Sequence, residues 1–360
     1  MNLKINTTRL QELISRAVRG ASNDKDKPMT CDIAISRKDG KLTVVTTDAT
    51  NYLYLTEESE GEDFYIVVRT ETFAKLISKM TSETTELEVT DSYLMVRGNG
   101  EYKLDLELDE DGTVVRLPDP VSKFEGEKIG TLKDTEVATI LNSLKPSLLK
   151  TWEYPWFMAY YMGDVVVGTD TFVISSYTHS ILADNPKLIS VEMMDLLGLL
   201  VGDIDIYASA DGNTLEFRAD NGVVHGAQPN GIENYSIADI KAMVAEDFDC
   251  SCAIAKAPIL NLLDRISLFV GVFDNDEVVL NFEEDGIEVS SKYATEKIAY
   301  VLPYTESANL KPFTCRLDIK TLTPQIKAQM GGTVTIEFGR PNAIKLIDGD
   351  VTSVVALITE

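Results

Sequence analysis

Histidine is scarce in this chain of 360 residues: His179 and His225 are the two, and they lie in unrelated contexts. A histidine-based nucleophile triad or a multi-histidine metal site therefore has no material to draw on. Cys250-Ser251-Cys252 could in principle bind a metal or cycle between thiol and disulfide. A single Cys-x-Cys with no second pair and no neighbouring histidine reads instead as two ordinary thiols, and the count of four cysteines fits a reducing compartment. Carboxylates are so abundant, 58 Asp and Glu together, that some pair must lie close in any fold and none can be singled out as an acid/base couple. Thr47-Asp48 and Thr169-Asp170 recur at matching places, where a strand-end Thr-Asp organises the following turn. Neither a P-loop nor a dinucleotide glycine fingerprint is present, and Gly98-Asn99-Gly100 reads as a hairpin turn. These residues point away from catalysis, so neither a cofactor nor a metal is expected.

Charge is the stronger signal. With 33 Lys and Arg against 58 Asp and Glu, the net charge is -25, which taken alone argues against nucleic acid and for a highly soluble cytoplasmic protein. The cations are not evenly spread. They cluster where helices are expected, at Arg9, Arg16 and Arg19, Lys75 and Lys79, Lys133 and Lys145, Lys256 and Arg265, and Lys320 and Lys327. Acid gathers elsewhere, in Glu57 to Asp63, Asp105 to Asp111 and Glu283-Glu284-Asp285. Lys and Arg are good helix formers, which would by itself place some of them there. No targeting segment or membrane span is read: Met1 to Asn6 lacks a cationic, apolar leader pattern, and runs such as Leu268 to Phe273 are far too short to cross a bilayer.

The elements that carry these residues repeat. Leu10/Leu13/Ile14/Ala17, Phe73/Leu76/Ile77/Met80, Val137/Ile140/Leu141/Leu144 and Ile259/Leu262/Leu263/Ile266 share i, i+3, i+4, i+7 spacing, one apolar stripe along a helix. Met193/Leu196/Leu197/Leu200 fits too, with Glu192 and Asp195 and no cation, and Leu322/Ile326/Met330 fits loosely. Strands are expected over Asp32 to Ser36, Lys41 to Thr47, Tyr52 to Thr56 and Phe64 to Val68. The same order returns at Phe157 to Met162, Asp164 to Gly168 and Thr171 to Tyr177, and again at Glu277 to Phe282, Ile287 to Ser291 and Lys297 to Leu302. Three or four strands after each helix are too many for βαβ crossovers and indicate an antiparallel α+β class.

A coarser period is superimposed. Val44-Val45-Thr46-Thr47-Asp48 is echoed by Val166-Val167-Gly168-Thr169-Asp170, and Ser290-Ser291-Lys292 occupies the corresponding strand of the last third. Three similar domains follow, residues 1–122, 123–247 and 248–360, each with two helices packed on antiparallel sheets. The joints are expected at Pro118-Asp119-Pro120-Val121-Ser122 and at Ala245 to Asp249.

This pattern, end to end, resembles the bacterial sliding clamp, the β subunit of the replicative DNA polymerase. Leu10 to Arg19, Leu42 to Tyr54, Val165 to Tyr177, Tyr235 and Val354-Val355 supply local matches, each short and degenerate. Thr171, Phe172 and Val173 stand where the family has Gly-His-Arg, and Ala356 to Glu360 replaces its Met-Pro-Met-Arg-Leu ending. Such divergence suits a phage-encoded member. The resemblance implies a ring of two subunits, joined head to tail, around double-stranded DNA. Its partners would be a replicative DNA polymerase and a clamp loader.

The helix cations named above, with Lys150 and with Lys25 and Lys27 on a loop near the rim, would then face the hole and meet phosphates without reading sequence. Ring closure would use Tyr102 and Leu104 against Leu268 and Phe269. A cleft for partner peptides would be built from Thr169, Phe172, Val173 and Ile174, Tyr235 and Ile237, and Val354, Val355, Leu357 and Ile358, the last of these on a docked C-terminal tail. Two other classes compete: an acidic DNA mimic that occupies a basic partner, and a hydrolase or transferase on an unfamiliar α+β scaffold. The first needs no cations gathered on evenly spaced helices, and the second needs a polar cluster that does not stand out.

Overall fold

The computed structural model describes residues 1–151, 154–270, 276–301 and 310–359. Gly271, Val272 and Phe273 of the apolar run, Leu302 at the end of an expected strand and Glu360 of the tail lie outside them. Among the described residues, seven α-helices accompany four sheets of five, eight, eight and four strands, every pairing antiparallel. The helices are α1 (Thr7–Ala17), α2 (Thr70–Ile77), α3 (Asp134–Thr139), α4 (Val191–Leu197), α5 (Ile237–Ala245), α6 (Lys256–Ser267) and α7 (Ile319–Ala328). Six fall on the six apolar stripes. By contacts the chain divides into two compact units, Met1–Val137 with Glu192–Gln228, and Ala138–Val191 with Pro229–Glu360.

In the first unit, α1 starts where the Asn6 side chain accepts the Arg9 N–H at 3.2 Å, and buries Leu10, Leu13, Ile14 and Ala17. It lies along α2, which buries Phe73 and Ile77. Gln11 of α1 donates from Nε2 to the carbonyls of Ile77 and Met80, each at 2.9 Å, tying α1 to the chain at the end of α2. Asp39 and Gly40, with φ of 51° and 82°, form the two-residue turn that closes the hairpin of Asp32–Lys38 with Lys41–Thr47.

The eight-stranded sheet of this unit is shared between repeats. Four strands come from residues 32–69 and four from residues 126–227, and Asn51–Glu58 pairs directly with Gly222–Ala227. A Cβ on Gly222 would sit 2.2 Å from the Tyr54 carbonyl oxygen, so glycine is required for the strands to approach. His225 lies on this seam, its Nδ1 3.2 Å from the wholly buried Glu216, which also accepts from Arg218 Nε at 2.6 Å. The histidine therefore serves a packed polar cluster.

The second unit repeats the arrangement. Its eight-stranded sheet takes four strands from residues 159–190 and four from residues 250–356, joined where Val173–Tyr177 pairs with Val351–Ala356. The four-stranded sheet packs Phe282 onto Phe338, with ring centroids 3.9 Å apart. Helices α6 and α7 lie side by side. The looseness of the last stripe has a local cause, since Pro324 sits inside α7 and removes one backbone donor, while Met330 falls beyond the helix and is exposed. Cys250, Cys252 and Cys315 are free and buried, and burial pushes the Cys252 thiol up to about 12, as suits structural rather than reactive sulfur.

Several expected boundaries shift. The stripe at Val137–Leu144 is α-helical to Thr139 and then a π-turn over Ile140–Leu144. Phe157 and Met158 belong to a 3-10 turn, so the strand begins at Ala159, and Thr171 and Phe172 form a turn before a strand that begins at Val173.

Asp32 opens the strand Asp32–Lys38 and is buried beneath Arg69, whose Nη1 lies 3.0 Å away while its Nε holds Glu107 at 2.9 Å. Burial raises the Asp32 carboxyl from 3.8 to about 6, the Arg69 charge opposing this and Glu107 adding to it. A carboxyl whose folded pKa is raised favours the folded state below about pH 4 and loses that contribution as pH climbs to about 6. Asp32→Asn should therefore gain stability over the parent by up to about 2 kcal/mol between pH 4 and pH 7. Urea midpoints at the two pH values check this, and parallel midpoints would contradict it.

Candidate functional site

The cations of the helical pairs face solvent. Arg9, Arg19, Lys75 and Lys79 in the first unit are exposed and Arg16 is half-buried; Lys25, Lys27 and Lys133 of the same unit are also exposed. In the second unit Lys145, Lys150, Arg265, Lys320 and Lys327 are exposed and Lys256 is half-buried. They are not equally available. Arg9 pairs with Glu57 at 2.9 Å, Lys75 with Glu71, Arg265 with Glu296 and Lys320 with Asp276 at 2.5 Å. Lys256 donates to the Lys327 and Gln329 carbonyls, closing the end of α7 much as Gln11 closes that of α2. Among the described residues Arg16, Arg19, Lys27, Lys79, Lys133 and Lys327 have no side-chain partner, which leaves them the most open to an anion.

The expected cleft residues converge on the seam of the second unit but divide between its faces. Val173 pairs with Val355 and Ile174 with Val354, so the two-residue period sends these pairs to opposite sides. Ile174 and Val354 join Tyr235 in a cluster with Ala159, Tyr161, Val167, Leu188, Ile240 and Ala343, flanked by Ile237. Val173 and Val355 instead enter the core beneath α6 and α7, with Leu357 packed against it. They cannot line the same groove. Phe172, 68% exposed, and Ile358, 36% exposed, stand free of both cores. The tail is held by three backbone bonds, Ala356 N–H to the Phe172 carbonyl, Leu357 N–H to that of Asn342 and Ile358 N–H to that of Arg316, at 2.8–2.9 Å.

Tyr235 is the centre of this cluster. Its ring stacks on Tyr161 with centroids 5.3 Å apart, meets Phe157 edge-on, and is so buried that its hydroxyl is held far above the usual range. Helix α5 was not expected from the sequence; it brings Ile237, Ile240 and Val244 to the same cluster, at an i, i+3, i+7 spacing that could have revealed it. Beneath the seam, Ser147, Ser175 and Ser353 link in series at 2.5 and 2.7 Å around the Gln325 side-chain oxygen, a buried network that fixes how these segments meet.

The edges expected to join subunits are open. Tyr102 and Leu104 lie on Glu101–Asp105, the outer strand of the five-stranded sheet, with Tyr102 38% exposed and Leu104 half-buried. Leu268 and Phe269 follow α6 at 74% and 52% exposure, and Arg265 ties that helix to Thr295–Ala299, the outer strand of the four-stranded sheet.

No protein-family model and no curated protein sequence matches this chain. Solved structures do. The sliding clamp of Bacillus subtilis superposes at a TM-score of 0.80 with 17% identity, covering 100% of this chain and 99% of its own. The polymerase β subunit of Streptococcus pyogenes gives 0.83 at 16%, covering 100% of both chains, and the polymerase III β subunit of Thermotoga maritima gives 0.80 at 13%, covering 100% and 99%. The chain has the sliding-clamp fold. The α+β class read from the sequence is the one observed.

The clamp fold carries two copies of one turn here. In each, Thr Oγ1 (47, 169) donates to the carbonyl four residues on and accepts the N–H two residues on, while the Asp carboxylate (48, 170) accepts the next two N–H groups. The turn-forming reading of Thr-Asp is borne out. Both turns place a non-glycine residue in the left-handed region, Ala49 and Thr171 each at φ 79°. Thr171→Gly should raise stability by about 0.5–1 kcal/mol in urea unfolding, since glycine adopts that region without strain. An unchanged or lower midpoint would show that the turn is not strained.

Proposed function

We propose that this chain is a DNA sliding clamp, a non-enzymatic processivity factor that encircles duplex DNA and tethers a replicative polymerase. The observation that carries the reading is the end-to-end correspondence with bacterial polymerase clamps, at TM-scores of 0.80 to 0.83 over the whole chain. In this reading residues 1–122, 123–247 and 248–360 are three clamp domains, and two copies close a ring head to tail. Identities of 12 to 17% and the loss of the family's Gly-His-Arg and Met-Pro-Met support a phage-encoded member.

Electrostatics supports it independently. In a chain of net charge -25, exposed cations on the paired helices leave the helix faces as the surface on which phosphates are tolerated, while the acidic strands and loops repel a duplex laid elsewhere. Contact with phosphates alone reads no bases, so the protein slides, and closure of the ring makes attachment topological. A tethered polymerase then re-engages its primer at high effective concentration. The helix cations count against the DNA-mimic reading.

Arg16→Glu, Arg19→Glu, Lys79→Glu and Lys327→Glu together should abolish loading onto nicked circular duplex, while Arg9→Ala alone, already paired, should change it less than about twofold. The ring reading requires that the loaded protein be lost when the circle is linearised. Equal retention on linear and circular DNA would overturn it.

Ring closure is tested separately. Tyr102 and Leu104 of one copy would meet Leu268 and Phe269 of the other, and Phe269→Asp should give a folded monomer in sedimentation; a dimer that survives it would remove this interface. Deleting residues 355–360 should abolish polymerase stimulation. Because Val355 also packs in a core, Phe172→Asp with Ile358→Asp, both on exposed side chains, is the cleaner variant and should give the same loss.

A further inference from the structure

The internal repeat places a second groove in the first unit, at the position equivalent to the cluster around Tyr235. Cross-strand pairing establishes the equivalence. Ala34 pairs with Val45 on one side and Val67 on the other, as Tyr161 pairs with Val167 and Leu188. Both trios form an apolar floor, and each is covered by the segment that leads into the next repeat, Leu117 above the first and Tyr235 above the second.

Two differences thin the cover of the first floor, where Leu117 closes over Ala34 and Val67 but Val45 stays half-exposed. Ala34 replaces a tyrosine, which removes a whole ring of volume, and the covering segment 114–122 has no counterpart of α5. The space beside it is a groove of about 940 Å³, walled by Tyr54, Tyr65, Val121, Arg37, Lys38 and Arg116. Its lip is firmly built. The Tyr65 hydroxyl accepts the Leu117 N–H at 3.1 Å, and the Tyr54 hydroxyl donates to Asp119 at 3.0 Å.

The charge of the rim selects the occupant. Arg37 pairs with Asp63 at 2.6 Å, yet its Nε is buried with no acceptor among the described residues. Arg116 is exposed, its guanidinium 4.0 Å from the Tyr65 ring centroid, and neither it nor the exposed Lys38 has a carboxylate partner among the described residues. Unpaired cations beside an apolar floor are unusual on a chain of net charge -25. We propose that this groove docks a short extended segment of a partner protein, with an aromatic or large aliphatic side chain against Val45 and Tyr65 and an acidic residue against Arg116 and Lys38. The proposal goes beyond the clamp reading and does not rest on it.

The test uses the full-length protein with methyl-labelled Ala, Ile and Val, titrated with a blocked Asp-Asp-Leu-Trp-Gly peptide, its Asn-Asn-Leu-Trp-Gly twin and a short DNA duplex. The acidic peptide should shift Ala34, Val45 and Val121, and both the amide twin and Arg116→Glu should weaken it about tenfold. Shifts confined to Ile174 and Val354, no shift at all, full affinity in Arg116→Glu, or displacement of the peptide by duplex would each overturn the proposal. Failure of DNA retention would leave this titration intact, so the two readings fail separately.

Discussion

Backbone pairing across the repeat boundaries is the constraint on which the rest of each unit depends. In the first unit the strand Asn51–Glu58 is laddered to Gly222–Ala227, and in the second Val173–Tyr177 is laddered to Val351–Ala356. Each ladder converts two four-stranded halves into one eight-stranded sheet and removes two exposed strand edges. Close approach is what makes this possible. Gly222 admits the Tyr54 carbonyl, and small serines at 175 and 353 meet across the second seam around Gln325. The candidate cleft residues of the second unit are positioned relative to that seam.

The alternation of side chains along a strand then decides what each residue can do. Neighbours in sequence such as Val173 and Ile174 look interchangeable, yet one closes a core and the other faces the Tyr235 cluster. The same logic separates the two units. A tyrosine at 161 fills the floor of one cluster, whereas a smaller alanine at 34 takes the equivalent place in the other, beneath Leu117. Duplication thus supplied two similar scaffolds, and side-chain volume made them different sites.

Charge is organised on a longer scale than any ion pair. Surface pairs such as Arg9 with Glu57 or Lys320 with Asp276 contribute little to stability, because solvent and salt screen them. Their consequence is functional. They lower the field of some cations and leave others, Arg16, Arg19, Lys79, Lys133 and Lys327 among them, without a compensating side-chain partner among the described residues.

Much of this was determined by sequence alone. Apolar stripes of helical spacing marked six of the helices, since burial of one face imposes that period wherever a helix packs on a sheet. Alternating strands and the repeated Thr-Asp turn were legible for the same reason: local hydrogen bonding and local patterning are written in neighbouring residues. Helix α5 escaped because its apolar residues run all round it, exposed Met243 and the alanines included, so the side of Ile237, Ile240 and Val244 does not stand out as a stripe. Tertiary structure alone decided which repeats share a sheet, which face Val173 and Val355 occupy, and which helix cations are already paired. Those outcomes depend on strand register and on contacts between residues far apart in the chain, and no local pattern encodes either.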